Sequence, residues 1–229
     1  MTERPIIFSA PMVRAILAGR KTQTRRIVKW QRNEDLNLSF SSLEPENIGG
    51  NRWTLSSRDG MGCWNVRAHA HCPFGVPGDR LWVREAHAFT TGIDSAPLNT
   101  VIYRADDPSD QWAWNRKSRQ DTPRSPWRPS IHMPRWASRI TLEVERIRVQ
   151  RVQDISDEDI EKEGIGASRV VAGDARCGCS WRYGVDGKHF ALSPDQAFSE
   201  LWDSIHGPGA WDRNDWVWAV TFRRVERGL

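Results

Sequence analysis

Long hydrophobic runs are missing from this chain. No stretch of its 229 residues approaches the ~20 consecutive apolar side chains that cross a bilayer, and the N-terminus carries no apolar signal core. A soluble, cytoplasmic protein without a membrane partner is the expectation. Cysteine is scarce too. Cys63 and Cys72 lie nine apart and Cys177 and Cys179 two apart, and neither pair has the Cys-x2-Cys spacing of a zinc half-site. No metal or other cofactor is expected, and in a reducing compartment the thiols stay free. Also absent are HExxH, a glycine-rich phosphate loop and a Ser-His-Asp order, which removes the common zinc-hydrolase, P-loop and serine-hydrolase readings. His132 and His206 are read as loop or core histidines. Tyrosine is nearly missing, with 2 residues against 13 Trp. Most of the indoles should anchor core and loops, leaving one or two to stack on a base.

Hydrophobic residues make up 38% of the chain and charged residues 27%, so much of its length should be polar surface loop. The formal charge is only +4, but the cations cluster. Ten Lys or Arg fall between Arg116 and Arg151 against Asp121, Glu143 and Glu145. A basic face on a nearly balanced protein favours an anionic partner, RNA or nucleotides first.

Negative charge is absent between Glu3 and Glu34, and the densest positive stretch lies inside that gap. Gly19-Arg20-Lys21-Thr22-Gln23-Thr24-Arg25-Arg26 holds four cations and two hydroxyls. Before it, Met12-Val13 and Ile16-Leu17 repeat at the spacing of a helix with one buried side. Ser9 is placed to cap that helix, and Gly19 to end it, because glycine enters the left-handed region without steric cost. Pro5 to Phe8 reads as a strand before the helix and Thr22 to Val28 as a strand after it. Cations and hydroxyls thus gather at a helix-to-strand turn.

Further along, Lys29 to Arg67 reads as loop or short hairpin around Gly49-Gly50-Asn51. A strand from Leu81 to Glu85 follows the Pro77-Gly78 break. Thr90 to Trp136 is proline-rich and irregular. Its Trp112, Trp114 and Trp127, set among Arg116, Lys117, Arg119, Arg124 and Arg128, suit a cover over an anionic ligand. Ser138 to Val152 alternates as a strand whose apolar parity flips near Glu145-Arg146, the mark of a β-bulge. Asp157 to Glu163 forms a short acidic helix with Ser156 as cap and Ile155 stapled to Ile160. Gly166 to Gly187 has no assignable pattern. Ser193-Pro194-Asp195-Gln196 opens another helix, Gly207-Pro208 ends it, and Trp216 to Val225 is the last strand.

The run Leu17-Ala18-Gly19-Arg20-Lys21-Thr22-Gln23-Thr24-Arg25-Arg26, followed by Pro77-Gly78-Asp79-Arg80-Leu81-Trp82-Val83-Arg84-Glu85, resembles the two-part signature of the ASCH family. That family is related in fold to the PUA RNA-binding domain. The resemblance implies an α+β fold, a PUA-like β-barrel flanked by short helices. It also implies one domain over residues 1–229 with insertions at about 29–76, 90–136 and 166–192. The length resembles the long form carried by phages and prophages.

Some small bacterial ASCH proteins are amidohydrolases that deacetylate N4-acetylcytidine. The resemblance places their catalytic Lys, Thr and Glu at Lys21, Thr24 and Glu163, the last anchored by Glu163-Gly164 at the end of the acidic helix. Arg20, Thr22, Arg26 and Glu85 are the matching candidates for holding substrate, Glu85 being also the rival carboxylate. The chemistry is coherent. A threonine hydroxyl needs a base to attack an acyl carbon. With an ordinary pKa of ~10.4, about one lysine in 2,500 is neutral at pH 7. Burial and the neighbouring Arg20, Arg25 and Arg26 push Lys21 toward the neutral form. The expected partner is a modified cytidine, as a nucleoside or within RNA. The alternatives are an RNA or nucleotide reader without catalysis, or a ribonuclease.

Overall fold

The computed structural model describes residues 1–32, 43–58, 64–90, 98–107, 125–168, 180–183, 189–191 and 193–225. In chain order the elements are β1 (Glu3–Ile7), α1 (Ala10–Leu17), β2 (Gln23–Ile27), β3 (Gln31–Arg32), β4 (Leu43–Gly49), β5 (Arg52–Arg58) and β6 (Trp64–His71). They continue with β7 (Arg80–Arg84), β8 (His87–Phe89), β9 (Val101–Tyr103), β10 (Thr141–Arg151), α2 (Asp157–Lys162), β11 (Gly166–Ser168), β12 (Ser180–Tyr183), β13 (His189–Ala191), α3 (Pro194–His206) and β14 (Trp216–Val225). The architecture is mixed α+β, dominated by strands. Among the described residues no helix is long and apolar enough to cross a membrane.

The main sheet has the order β1-β7-β10-β14-β2. β1 runs parallel to β7, and the Gly78-Asp79 turn ties their starts together. Gly78 sits at φ +90°, while the Asp79 carboxylate accepts the Thr2 amide at 2.8 Å and the Val76 amide at 3.3 Å. Those backbone donors, Thr2 first, hold Asp79 below the usual carboxylate range. β10 is the long central strand, and its register against β14 shifts between Val144 and Arg146, where the apolar parity flips. Such a bulge lets one strand present alternate faces along its length. β1 and β2 remain the two edges among the described pairings, so strand pairing does not close the sheet into a barrel.

Two cores lie on opposite faces of this sheet. Ile6, Phe8, Leu81, Val83, Ile140, Leu142, Trp218, Val220 and Phe222 pack with Val13 and Ile16 of α1. Behind β14 and β2, Val152, Ile155, Ile160, Phe198, Trp202 and Val217 pack under α2 and α3. Each large aliphatic side chain buried this way contributes about 1.5–3 kcal/mol. α2 and α3 start at their expected caps, Ser156 accepting the Asp159 amide at 3.3 Å and Ser193 the Gln196 amide at 3.2 Å. Ser9 differs: its backbone is extended ahead of α1, but its hydroxyl caps nothing, and only its carbonyl engages the helix, accepting the Val13 amide at 2.9 Å.

The stretches read as loop contain sheet. Residues 31–71 hold a four-stranded antiparallel sheet in the order β3-β6-β5-β4, turned at Gly49-Gly50 with φ of +114° and +58°. Trp53 of β5 meets Trp218 edge-on at 5.8 Å, which docks this sheet on the first core. Polar Glu44, Glu46 and Asn47, with Pro45 among them, hide the alternation that would have marked β4 as a strand. β8, just before the proline-rich region, pairs antiparallel with β9 inside it, and β11, β12 and β13 form a small sheet. Trp112, Trp114, Arg116, Lys117, Arg119 and Arg124 lie outside the described residues, as do Cys63, Cys177 and Cys179. Cys72 is fully buried, and burial raises its thiol to about 11.

Candidate active site

The first helix delivers Lys21 to the seam between the two cores. α1 ends at Gly19, φ +72°, and the Arg20 and Lys21 amides both fold back onto the Ala15 carbonyl, at 2.9 and 3.1 Å. The turn therefore persists through Lys21, and β2 begins only at Gln23. On the far side, the Thr22 amide donates to the Lys162 carbonyl at the end of α2, at 2.9 Å. That bond docks the acidic helix against the basic turn. Gly164, at φ +92°, permits the approach: a Cβ there would stand 3.2 Å from both Ala15 Cβ and Lys21 Cβ. The glycine after Glu163 is thus a geometric requirement of the site.

From this docking a buried ion-pair network follows. Lys21 Nζ donates to Glu163 Oε2 at 2.6 Å and to the Glu163 carbonyl at 2.8 Å, joining residues 142 positions apart. Both side chains are almost fully buried, 1% and 7% exposed. Arg25 Nη1 donates to the other Glu163 oxygen at 3.1 Å, and Arg25 Nη2 donates to Asp159 Oδ2 at 2.8 Å. Gln23 supports the guanidinium with its own carbonyl at 2.5 Å while its amide donates to Asp159 Oδ1 at 3.1 Å. Arg148, reaching across from β10, donates to Asp159 at 2.6 Å. Asp159 and Glu163 are four residues apart, so they present their carboxylates from one side of α2.

The alternate face of β2 carries a different arrangement. Thr24 is fully buried, and its hydroxyl accepts from Arg26 Nη1 at 2.6 Å. The same guanidinium donates to the Arg25 carbonyl at 2.8 Å and the Ile7 carbonyl at 3.0 Å, and it lies 5.3 Å from the centre of the Phe8 ring. Lys21 Nζ stands 6.0 Å from that same ring. Lys21 and Arg26 therefore share one aromatic wall, but Lys21 hydrogen-bonds Glu163 and Thr24 hydrogen-bonds Arg26. Strand parity explains the split. Gln23 and Arg25 face α2, and Thr24 and Arg26 face Phe8; Lys21, ahead of the strand, belongs to the first set by direction and to the second by proximity.

Burial and neighbouring charges pull on the groups of this site in opposite directions. Burial lowers the Lys21 pKa; the Glu163 charge and hydrogen bond oppose that, and Arg26 and Arg25 reinforce it. For Asp159, burial acts upward, but hydrogen bonds from Arg148, Gln23 and Arg25 hold it below the ordinary carboxylate range. The cluster brings Lys21, Arg25, Arg26 and Arg148 against only Asp159 and Glu163, so positive charge is in excess.

The remaining candidates are spread around this centre. Arg20 is exposed and Thr22 half-buried; with Gly19, Glu158, Glu161 and Lys162 they line an open depression of about 360 Å³. Lys21 and Glu163 do not line it, and both side chains are buried. Glu85 belongs to another cluster. Its carboxylate binds Arg139 at 2.9 and 3.1 Å, and Arg139 also binds Asp106 and lies over Tyr103. Burial raises the Glu85 pKa, with Arg139 opposing. Among the described residues no group of three or more His, Cys, Asp or Glu is arranged to hold a metal ion.

No family model, curated protein or solved structure matches the chain. The functional reading therefore rests on the resemblance of two motifs together with the geometry of the site. Residue-by-residue reading missed Gln23, Asp159 and Arg148 as parts of the site, and took Arg25 only as a charge beside Lys21, not as a partner of Glu163 and Asp159. The signal was present in two spacings, the i, i+2 pair Gln23/Arg25 on β2 and the i, i+4 pair Asp159/Glu163 on α2.

Proposed function

We propose that the chain is an ASCH-type hydrolase that removes the acyl group from an N4-acylated cytidine, and that its five-stranded sheet with α1 and α2 docked at one end corresponds to a PUA-like barrel. The observation that carries this reading is the buried 2.6 Å contact between Lys21 and Glu163. One proton passing from the ammonium to the carboxylate yields a free amine and a carboxylic acid side by side, a base and an acid made in a single step. Burial works against the Lys21 ammonium, which lowers the cost of that transfer from the resting ion pair.

In this reading the Lys21 amine takes the proton of the Thr24 hydroxyl as its oxygen attacks the acyl carbon. Arg26, already bonded to Thr24, faces the oxygen that gains negative charge. Glu163 gives its proton to N4 as the C–N bond breaks, releasing cytidine and leaving an acyl ester on Thr24. Water then gives a proton to the Glu163 carboxylate as its oxygen attacks the ester carbon, and Thr24 Oγ leaves with a proton from the Lys21 ammonium, which frees the carboxylic acid product and restores the amine and acid. Arg25 and Asp159 hold Glu163 in place throughout. For Lys21 to serve Thr24, its amine swings from Glu163 toward the Phe8 wall that it shares with Arg26.

The test is incubation with N4-acetylcytidine, following cytidine and acetate release, with Lys21→Ala and Thr24→Ala beside the wild type. Release by the wild type, lost in both variants, supports the proposal; absence of release, or release unchanged in Thr24→Ala, refutes it. One observation favours a second reading, a nucleotide reader without catalysis: Thr24 and Lys21 are 0% and 2% exposed and each is already hydrogen-bonded. In that case the network is a scaffold, and ligand binds outside it.

A further inference from the structure

Six side chains from four segments of the chain form one strip in which cations are interleaved with aromatic rings. Arg84 and Arg135 lie 5.4 and 5.8 Å from the centre of the Trp82 ring. Arg135 shares a short 3-10 turn, Arg135–Ala137, with Trp136. Trp136 stacks obliquely on Phe89, with centroids 6.0 Å apart and planes at 34°. Arg128 lies 4.8 Å over the Phe89 ring. The order along the strip is therefore Arg84, Trp82, Arg135, Trp136, Phe89, Arg128. Trp136 is 67% exposed, far beyond what an anchoring indole needs.

Two of the strip's three charges are available. Among the described residues neither Arg84 nor Arg128 is ion-paired, and Arg135 alone meets a carboxylate, Glu3, at 2.9 Å. One end of the strip adjoins the candidate site: Arg84 pairs in register with Ile7, whose carbonyl accepts from Arg26.

We propose that this strip binds a single strand of RNA, with bases stacked on Trp82 and Trp136 and phosphates on Arg84, Arg135 and Arg128. Interleaving of π-faces with guanidinium groups suits the bases and phosphates of an unpaired strand, and a duplex, whose bases are already stacked, cannot use it. Stacking and charge specify a single strand. The choice of ribose, and the direction toward Arg26, rest on the cytidine reading above and make its substrate a polymer.

The experiment is fluorescence anisotropy of the full chain with a 5′-labelled, unmodified 12-nucleotide RNA, the DNA strand of the same sequence and the RNA duplex. Trp136→Ala should weaken RNA binding about tenfold, and Trp136→Phe should keep most of it, since a phenyl ring still stacks. Arg84→Gln with Arg128→Gln should reduce the slope of log Kd against log salt by about 1.4. Circular dichroism of each variant separates lost contacts from lost fold. Wild-type binding of the duplex as tight as the single strand, or unchanged binding in Trp136→Ala, overturns the strip; equal affinity for DNA overturns the choice of ribose. Turnover of free N4-acetylcytidine without RNA binding removes this inference and leaves the hydrolase, whereas RNA binding without turnover does the reverse.

Discussion

Replacing Glu163 with glutamine tests the network at its most sensitive point. The substitution keeps size and most of the packing but removes the charge that Lys21 meets at 2.6 Å and Arg25 at 3.1 Å. At an effective dielectric of about 20, the Lys21 contact alone represents about 6 kcal/mol of attraction. The glutamine amide recovers part of that as a neutral hydrogen bond and spares the desolvation of a carboxylate, so the net loss should be about 3 kcal/mol, the lower end for breaking a buried pair. In a chain of this size that lowers Tm by about 6–12 °C. The pH dependence gives the sharper test. With the Glu163 charge gone, burial, Arg26 and Arg25 all lower the Lys21 pKa, and the influences that raised it are lost. Between that lowered folded value and the unfolded ~10.4, the unfolded chain holds a proton that the folded chain has shed, so stability rises with pH. The deficit relative to wild type should be full at pH 7 and shrink toward pH 10. Urea unfolding at pH 7, 8.5 and 10 measures it. Adding Lys21→Met should restore most of the stability, because an apolar side chain of similar size needs no counter-ion. A deficit below about 1 kcal/mol at pH 7, typical of exposed pairs, or one that widens as pH rises, would falsify the claim that this pair is buried and coupled.

Three other perturbations probe neighbouring parts of the structure. Asp159→Asn leaves Arg25 and Arg148 each short of a carboxylate and should cost about 3 kcal/mol at neutral pH. The depressed Asp159 pKa supplies stability above its unfolded ~3.9 that is lost as pH falls through the folded value. The acid limb of the wild-type stability curve should therefore be steeper than that of Asp159→Asn, as acid titration followed by circular dichroism will show. Gly164→Ala forces a Cβ to within 3.2 Å of Ala15 and Lys21 at φ +92° and should destabilise by about 2 kcal/mol in urea unfolding, with loss of any activity at the Lys21 centre. Ser193→Ala removes the α3 cap and should cost about 1 kcal/mol, whereas Ser9→Ala, whose hydroxyl caps nothing, should be near neutral by thermal melting.

Ser156 before the acidic helix, Ser193-Pro194 before α3, the parity flip beyond Glu145 and the alternation from Trp216 were legible because each is decided within one or two turns of chain, where caps and side-chain period dominate. The helix-to-strand turn at Gly19 was legible for the same reason. The four-stranded sheet over residues 31–71 was not, because its strands are held by pairing between segments whose own patterns are polar and interrupted.

At the candidate site the division is just as plain. The basic turn and the carboxylates of α2 could be read from residue types, and Glu163 was singled out only through the family resemblance. What required the tertiary structure was the choice of partners: Lys21 on Glu163, Thr24 on Arg26, Arg25 shared between Glu163 and Asp159. Composition places the charges in the chain, but a buried ion pair forms only where two backbones approach closely enough to exclude water. Here that approach depends on the Thr22–Lys162 hydrogen bond and on the missing side chain of Gly164.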